Sequence, residues 1–270
     1  MVLLWIWRSK MRIGFFGCGN MGAALAHGFK KFDPSVEQYF FTPTNTRALE
    51  LAKLVDGHFV ENISDMPSDL DWYVLAFKPQ SLNDFSFTFK GQSKILSVLA
   101  GVGIEKLSKK FEVENISRLM PNTPSGIGAG ANLYFSPFDS GSMVEMLKGL
   151  GKLFLMKSEA ELDAITAFSG SGPALIFEIA RLFEKHLNAL SGGNPEAREI
   201  ITQTFLGSAK LMEKAISEGV SFEELREQVT SKKGVTYEAL QILEKNGLDN
   251  IMGGAFVAAH KRTLELKKGI

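Results

Sequence analysis

The sequence predicts an α/β chain, in which a parallel sheet wound with helices over residues 11–158 is followed by an all-α region over 159–270. Three observations carry this. Short apolar runs alternate with helical patterns through the first half, the pattern of a parallel sheet with crossover helices. A glycine-rich stretch directly follows the first apolar run and opens the first helical pattern. From residue 159 onward apolar residues recur at helical spacing and no strand pattern returns.

Arg12–Phe16 reads as the first strand, Met21–Phe32 as the first helix, Tyr39–Phe41 as the second strand and Thr46–Leu54 as the second helix. Trp72–Ala76, Ile95–Leu99 and Ile116–Met120 are further strands, and Leu133–Phe135 and Leu153–Met156 extend the sheet. Pro and Gly cluster between these runs, as turns require. Four or five helices follow. The Ser169–Gly172 stretch reads as a close-packed turn before a helix over Pro173–Leu190, apolar around much of its circumference through Leu175, Ile176, Phe177, Ile179, Leu182 and Phe183. Such a helix needs cover on more than one side, which a subunit interface supplies. Asn194-Pro195 reads as the start of the next helix, with Asn as N-cap and Pro at the first position. Along it Ile201, Phe205, Met212 and Ile216 share one face, opposite Lys210 and Glu213. Ser221 and Glu224 form a capping box, and Gly219 and Gly247 stand where helices end.

The totals narrow the function. The 270 residues are 45% hydrophobic, with 30 Lys+Arg against 30 Asp+Glu. Zero formal charge argues against nucleic acid as the main partner, since phosphate binding leaves a basic excess. A single cysteine, Cys18, excludes an internal disulfide and fits a reducing compartment. The apolar run Val2–Trp7, followed by Arg8 and Lys10, is too short to span a bilayer. Its charges also come after the apolar run, the reverse of a secretory leader. Residues 1–10 are read as an N-terminal extension, with a membrane-surface anchor as the alternative. The chain is expected in the cytoplasm without a membrane partner.

Gly17-Cys18-Gly19-Asn20-Met21-Gly22 fits G-x-G-x-x-G, and it sits between a strand and a helix. The glycines differ in what they permit. Gly17 allows the tight turn, Gly19 lets backbone approach a pyrophosphate, and Gly22 lets helix pack on strand. The pyrophosphate then meets unpaired amides and the positive end of the helix dipole. The motif therefore predicts a Rossmann-type dinucleotide-binding domain. An NAD-binding unit of this type carries Asp or Glu at the end of its second strand for the ribose 2′-OH. Here Phe41-Thr42-Pro43-Thr44-Asn45-Thr46-Arg47 holds no acid before Glu50. Hydroxyls such as Thr42, an amide and Arg47 suit a 2′-phosphate, so NADPH is expected as the preferred cofactor with NADH as the alternative.

None of the four histidines, His27, His58, His186 and His260, is paired at metal-ligand spacing, and no metal site is expected. Ser171 has glycines one residue away on each side, whereas a nucleophile elbow needs them two away. The absence of an acid–base constellation fits hydride transfer to a protonated C=N, for which a cofactor carries the chemistry and the protein supplies position and electrostatics.

In order along the chain, five motifs resemble the pyrroline-5-carboxylate reductase family over nearly all of residues 11–268. They are Gly17–Gly22 (G-x-G-N-M-G), Ala76-Phe77-Lys78-Pro79-Gln80 (A-V-K-P-Q), Met120–Pro124 (M-P-N-T-P), Ser169–Ala174 (S-G-S-G-P-A) and Val229–Thr236 (V-T-S-P-G-G-T-T). The resemblance implies that an all-α C-terminal dimerisation domain follows the nucleotide domain. It implies that Gly17, Gly19, Asn20, Met21 and Gly22 hold the pyrophosphate and that Asn62 lies on the adenosine ribose. Ala76, Lys78 and Pro79 would line the cofactor near its ribose and nicotinamide. It also implies that Ser231, Gly234, Val235 and Thr236 bind the substrate carboxylate at a helix start beside the cofactor of a partner subunit. Thr236 would be the catalytic residue, bonding the ring nitrogen of a small imine acid. A homodimer through the C-terminal helices, or a higher oligomer of such dimers, is implied as well.

The departures are Lys232 and Lys233 in place of Pro and Gly, Val235 in place of Thr, Phe77 in place of Val and Leu175 in place of an aromatic. The two lysines either face solvent or attract an acid substrate. Loss of the glycine alters the loop if its backbone needs positive φ. The expected activity is reduction of 1-pyrroline-5-carboxylate to L-proline. The alternatives are a related cyclic imine reductase, or a cofactor-binding regulatory protein with an impaired substrate loop.

Overall fold

The computed structural model describes residues 10–269; the expectations for residues 1–9 lie outside the described residues. Two compact units divide the chain. The first runs to Pro173 and resumes at Ala259, and the second is Ala174–Ala258.

The first unit is built on an eight-stranded sheet: β1 Arg12–Phe16, β2 Glu37–Phe41, β3 His58–Phe59, β4 Trp72–Leu75, β5 Ile95–Ser97, β6 Ile116–Met120, β7 Gly130–Phe135 and β8 Gly151–Leu155. The strand order is β3-β2-β1-β4-β5-β6-β7-β8. The order reverses between β1 and β4, and ligands of open α/β sheets bind at such a switch point. The sheet is not parallel throughout, as the alternating pattern suggested: β7 runs antiparallel to β6. Residues 121–129 hold only a short 3-10 turn, Thr123–Ile127, so the chain doubles back instead of crossing over. The helix α4, Gly141–Leu147, restores a crossover, and β8 pairs parallel with β7.

Alternate residues of each strand feed two cores. Ile13, Phe15, Phe40, Trp72, Val74 and Leu119 pack on α1 (Asn20–Phe32), α2 (Thr46–Leu54) and α4 through Leu25, Phe29, Leu51 and Met146. Phe16, Tyr73, Leu75, Ile95 and Ile116 face the other way, onto α3 (Ile104–Phe111) through Leu107 and Phe111. Between β4 and β5 only a 3-10 turn, Pro79–Leu82, is helical. The alternation Phe85-Ser86-Phe87-Thr88-Phe89 fills the remaining space, with Phe16 ring centroids 5.0, 4.9 and 5.9 Å from those of Phe85, Phe87 and Phe89.

Strands end with β8, and α5 spans Glu159–Ser191 without interruption. This corrects the expected turn at Ser169–Gly172: that stretch and Pro173 lie inside the helix. Proline removes the amide that would bind the carbonyl four residues back and ordinarily breaks a helix. Here the orphaned carbonyl is that of Ser169, and the Asn122 side-chain amide donates to it at 3.1 Å. The helix thus continues because a side chain from another element replaces the missing donor. The first turns of α5 are also anchored to the sheet. The buried guanidinium of Arg118 on β6 donates to Glu159 Oε1 at 2.9 Å and reaches Asp163 Oδ1 at 3.0 Å, while Lys267 near the C-terminus reaches Asp163 Oδ2 at 2.9 Å.

The second unit holds the rest of α5, then α6 Ala197–Glu218, α7 Phe222–Gln228, α8 Val235–Lys245 and the start of α9, Leu248–Gly269. The α6 start is later than expected: Asn194 Oδ1 accepts the Glu196 amide at 2.8 Å, forming a turn around Pro195 before the helix. The capping box forms as expected, with the Ser221 amide donating to Glu224 Oε2 at 2.7 Å and the Glu224 amide to Ser221 Oγ at 3.2 Å. Gly219 closes α6 in the left-handed conformation. Phe183 and Phe205 join α5 to α6, and Ile201 is buried. Much apolar surface is left over: Phe177 is 61% exposed, Phe183 50%, Ile216 65% and Leu190 91%. A monomer seldom leaves so much large apolar surface uncovered.

Candidate functional site: a nucleotide groove and a second helix start

The groove begins where β1 ends. Gly17 has φ +105, and a Cβ there would lie 2.5 Å from the Ala76 carbonyl carbon at the end of β4. A Cβ on Gly22 would collide with the Gly17 carbonyl oxygen. These two glycines are therefore demanded by contacts inside the protein. Gly19 is different: a Cβ there would meet nothing within 4 Å. Its open side faces outward at the N-cap of α1, beside the first-turn amides of Asn20, Met21 and Gly22, which have no acceptor within their own helix. A closed turn with one open glycine and a helix N-terminus has the form that a pyrophosphate seat requires.

Two depressions flank this seat. A cleft of about 430 Å³ lies at the ends of β1, β2 and β4, walled by Gly17, Phe41, Pro43, Ile63, Phe77 and Phe85, with Ser81, Asp84 and Ser86 at its polar edge. Phe77 and Phe85 stack at 4.8 Å. A flat apolar slot with polar rim groups suits a purine base. The second depression, about 220 Å³, lies between α1 and α2 and brings Gly19 and Asn20 together with Cys18, Arg47 and Glu50. Burial pushes the Cys18 thiol up to about 12, so it remains a neutral small residue in the loop.

The other candidate positions are placed on the surrounding elements. Thr42 is buried, with its hydroxyl 3.3 Å from that of Thr44. Asn45 has φ 54 and ψ −42, and the Thr46 amide donates to the Thr44 carbonyl at 2.5 Å across it. This tight three-residue turn is a strained form. Arg47 is exposed in the first turn of α2. Asn62 is exposed and donates to Asp65 Oδ2 at 3.0 Å, next to Ile63 of the cleft wall. The Ala76 amide donates to the Phe16 carbonyl at 2.8 Å, holding the end of β4 against the glycine turn. Lys78 is exposed ahead of the 3-10 turn that Pro79 begins.

In the second unit the Ser231–Thr236 segment turns tightly into α8. The Gly234 amide donates to the Ser231 carbonyl at 2.9 Å, and Gly234 is the N-cap of the helix. A Cβ on Gly234 would collide with Ser231 Oγ. Val235 and Thr236, exposed in the first turn, present amides as α1 does. Lys233 adopts φ +62. The lysine therefore sits, exposed, in the left-handed region that favours glycine.

Comparison with known proteins sets these features in a family. A family model described as pyrroline-5-carboxylate reductase dimerisation matches residues 159–266, and one described as NADP oxidoreductase, coenzyme F420-dependent, matches residues 12–101. The pyrroline-5-carboxylate reductase of Pseudomonas aeruginosa is 32% identical over 96% of this chain and 97% of its own length. The chain belongs to the pyrroline-5-carboxylate reductase family. Solved reductases of the family superimpose closely. That of Coxiella burnetii has a TM-score of 0.80 at 27% identity, covering 96% of this chain and 99% of its own. That of Streptococcus pyogenes has a TM-score of 0.82 at 25% identity, covering 95% and 99%. The chain is therefore an oxidoreductase with a nicotinamide-nucleotide domain, and its C-terminal helices are the family's oligomerisation region.

Within the first unit the structure brings Gly17, Gly19, Asn20, Gly22, Ala76 and Arg47 around one groove; within the second it places Ser231, Gly234, Val235 and Thr236 at one helix start. Pro43, Ile63, Ser81, Asp84 and Phe85 of the cleft were not expected from the sequence. The alternating phenylalanines from Phe85 to Phe89 were the available signal, since a run with period two beside a strand end marks a segment laid against the sheet. Among the described residues no helix is long and apolar enough to cross a membrane, and no group of three or more His, Cys, Asp or Glu side chains is placed to hold a metal ion.

Proposed function

We propose that this chain reduces 1-pyrroline-5-carboxylate to L-proline, with NADPH as the preferred donor. The observation that carries the reading is the pair of helix starts, α1 behind its glycine turn and α8 behind Gly234, in a member of this reductase family. The groove fits a dinucleotide: Gly17 and Gly22 close the turn, Gly19 leaves room for backbone approach, and the aromatic cleft takes a flat base.

The α1 amides and Gly19 would hold the pyrophosphate, with Ala76, Lys78 and Pro79 bordering the groove beyond it and Asn62 at the ribose. Preference for the 2′-phosphate rests on Arg47, which borders the same depression as Gly19 and Asn20. Glu50 borders it too and offsets part of that attraction. The absence of a carboxylate directly after β2 leaves Arg47 nearest the strand end in sequence.

At α8 the amides of Gly234, Val235 and Thr236, with the Ser231 hydroxyl, would bind the carboxylate of the imine acid. When bound, the reduced nicotinamide supplies the hydride that the imine carbon accepts. The Thr236 hydroxyl would accept a hydrogen bond from the protonated ring nitrogen and so aim the C=N carbon. As the carbon takes up hydride, the π pair becomes the nitrogen lone pair, and no other acid or base is needed. Lys232 and Lys233, both exposed, add positive potential around the carboxylate seat. The positive φ of Lys233 supports an intact loop over an impaired one.

The exposed apolar faces of α5 and α6 support a homodimer through the C-terminal helices, with an oligomer of such dimers as the larger form. Steady-state rates with a panel of cyclic imine acids, each with NADPH and NADH, test the reading. The best kcat/KM is expected for pyrroline-5-carboxylate with NADPH. A higher value for a six-membered imine acid would move the substrate assignment, and a higher value with NADH would remove Arg47 from its role.

A further inference from the structure

The donor that replaces the Pro173 amide comes from the turn that follows β6. Asn122 follows β6, the third strand from the switch point on the side away from β2. A dinucleotide whose adenosine half lies toward β2 extends its nicotinamide half toward these strands. Asn122 is 8% exposed and uses both ends of its amide. Its Oδ1 accepts the Ala131 amide at 3.0 Å, which closes the turn onto the start of β7. Its Nδ2 donates to the Ser169 carbonyl at 3.1 Å, which ties the turn to α5 one helical turn before Pro173. The Asn122 backbone amide is held by Ser125 Oγ at 3.3 Å, and Ser125 Oγ in turn donates to Asn132 Oδ1 at 2.7 Å.

We propose that Asn122 is a positioning residue for hydride transfer: by standing in for the amide that Pro173 lacks, it fixes the Met120–Pro124 turn to α5 at the nicotinamide end of the groove. This rests on the reductase reading above. The proline is what makes the latch specific. With any other residue at 173 the Ser169 carbonyl would also accept an amide along the helix and would depend less on Asn122. Loss of the donor leaves a part-buried carbonyl without a partner and frees the turn to shift, while the Gly17 turn keeps its own contacts to Phe41 and Ala76.

The test compares wild type, Asn122→Asp, Pro173→Ala and the double variant. Asn122→Asp keeps an acceptor for the Ala131 amide and loses the donor to Ser169. It is expected to lower kcat about tenfold to 100-fold, the range that a displacement of about 1 Å produces, with NADP⁺ affinity changed less than about threefold. Pro173→Ala added to it restores an amide for the Ser169 carbonyl but leaves the turn untied, so it is expected to recover thermal stability and not kcat. A purely structural role, in which Asn122 only satisfies the carbonyl, would lower thermal stability without this split, and the second substitution would then restore stability and kcat together. Equal losses of kcat and NADP⁺ affinity, full activity in Asn122→Asp, or recovery of kcat in the double variant would overturn the proposal. Asn122→Ser, which is too short to reach Ser169, is expected to show the same split and serves if the aspartate variant does not fold. If wild type itself turns over no imine acid while binding NADP⁺, it is the reductase reading that fails.

Discussion

The two helix starts use the same physics under different constraints. At α1 the residue with positive φ is Gly17, and a side chain there would strike the backbone at Ala76. At α8 the corresponding feature is Lys233, whose φ of +62 carries a full side chain into solvent. The first glycine is required by contact as well as by conformation. At the second site only the conformation is demanding, and a lysine meets it at a cost of about 1–2 kcal/mol. The anion sites proposed at these two helix starts would thus be defined by which amides are left open; the residue type at the turn is fixed only where other backbone crowds it.

Gly17→Ala breaks this comparison hardest. The added methyl must displace the end of β4, and cofactor affinity is expected to fall on the order of 100-fold, measured by NADPH fluorescence titration. Near-native affinity would show that the turn is not crowded as described. At the other start, Thr236→Ala is expected to lower kcat roughly tenfold to 100-fold while leaving NADPH affinity within about twofold, as loss of an interaction made at the reacting nitrogen should. Unchanged turnover would take the catalytic assignment away from Thr236. A smaller effect separates backbone from side-chain grip at the first start. Arg47→Ala should raise the KM for NADPH about tenfold, the loss of one charge-assisted contact, and leave that for NADH nearly unchanged. Equal effects on both would make Arg47 a solvated surface residue. Lys233→Gly should change least. Relief of the left-handed strain, less the greater freedom of glycine in the unfolded chain, predicts a gain of roughly 0.5 kcal/mol, read as a slightly higher Tm. A clear loss of stability would mean that the lysine side chain contributes contacts of its own.

The same contrast bears on what sequence could and could not reveal. The glycine turn, strands such as Arg12–Phe16 and Ile116–Met120, and the Ser221–Glu224 cap were legible because their signals are local. Departures arose where a distant group decided the outcome. Ser169–Gly172 and Pro173 read as a helix boundary because the Asn122 amide, 47 positions earlier in the chain, is invisible to local pattern. β7 pairs antiparallel because no helix intervenes after β6, and the Asn194-Pro195 start slipped because Asn194 caps a turn instead of a helix. At the candidate site the glycines and the α8 start could be located by motif, whereas the wall formed by Ile63, Asp84 and Phe85 could not. Those residues come from segments that meet only once the sheet has formed. Likewise the apolar circumference of α5 was readable, and its exposure in the single chain is what gives that pattern its meaning as an interface.

Backbone amides at α1 and α8 are proposed to hold a reduced nicotinamide dinucleotide and a small imine acid so that hydride passes between them. The most direct measurement is isotope transfer from NADPH deuterated at the nicotinamide hydride position to 1-pyrroline-5-carboxylate, followed by mass analysis of the product. Proline carrying one deuterium on the former imine carbon, formed in step with cofactor oxidation, is the predicted result. Tight NADPH binding with no labelled proline, or cofactor oxidation in which no deuterium reaches the ring, would contradict it.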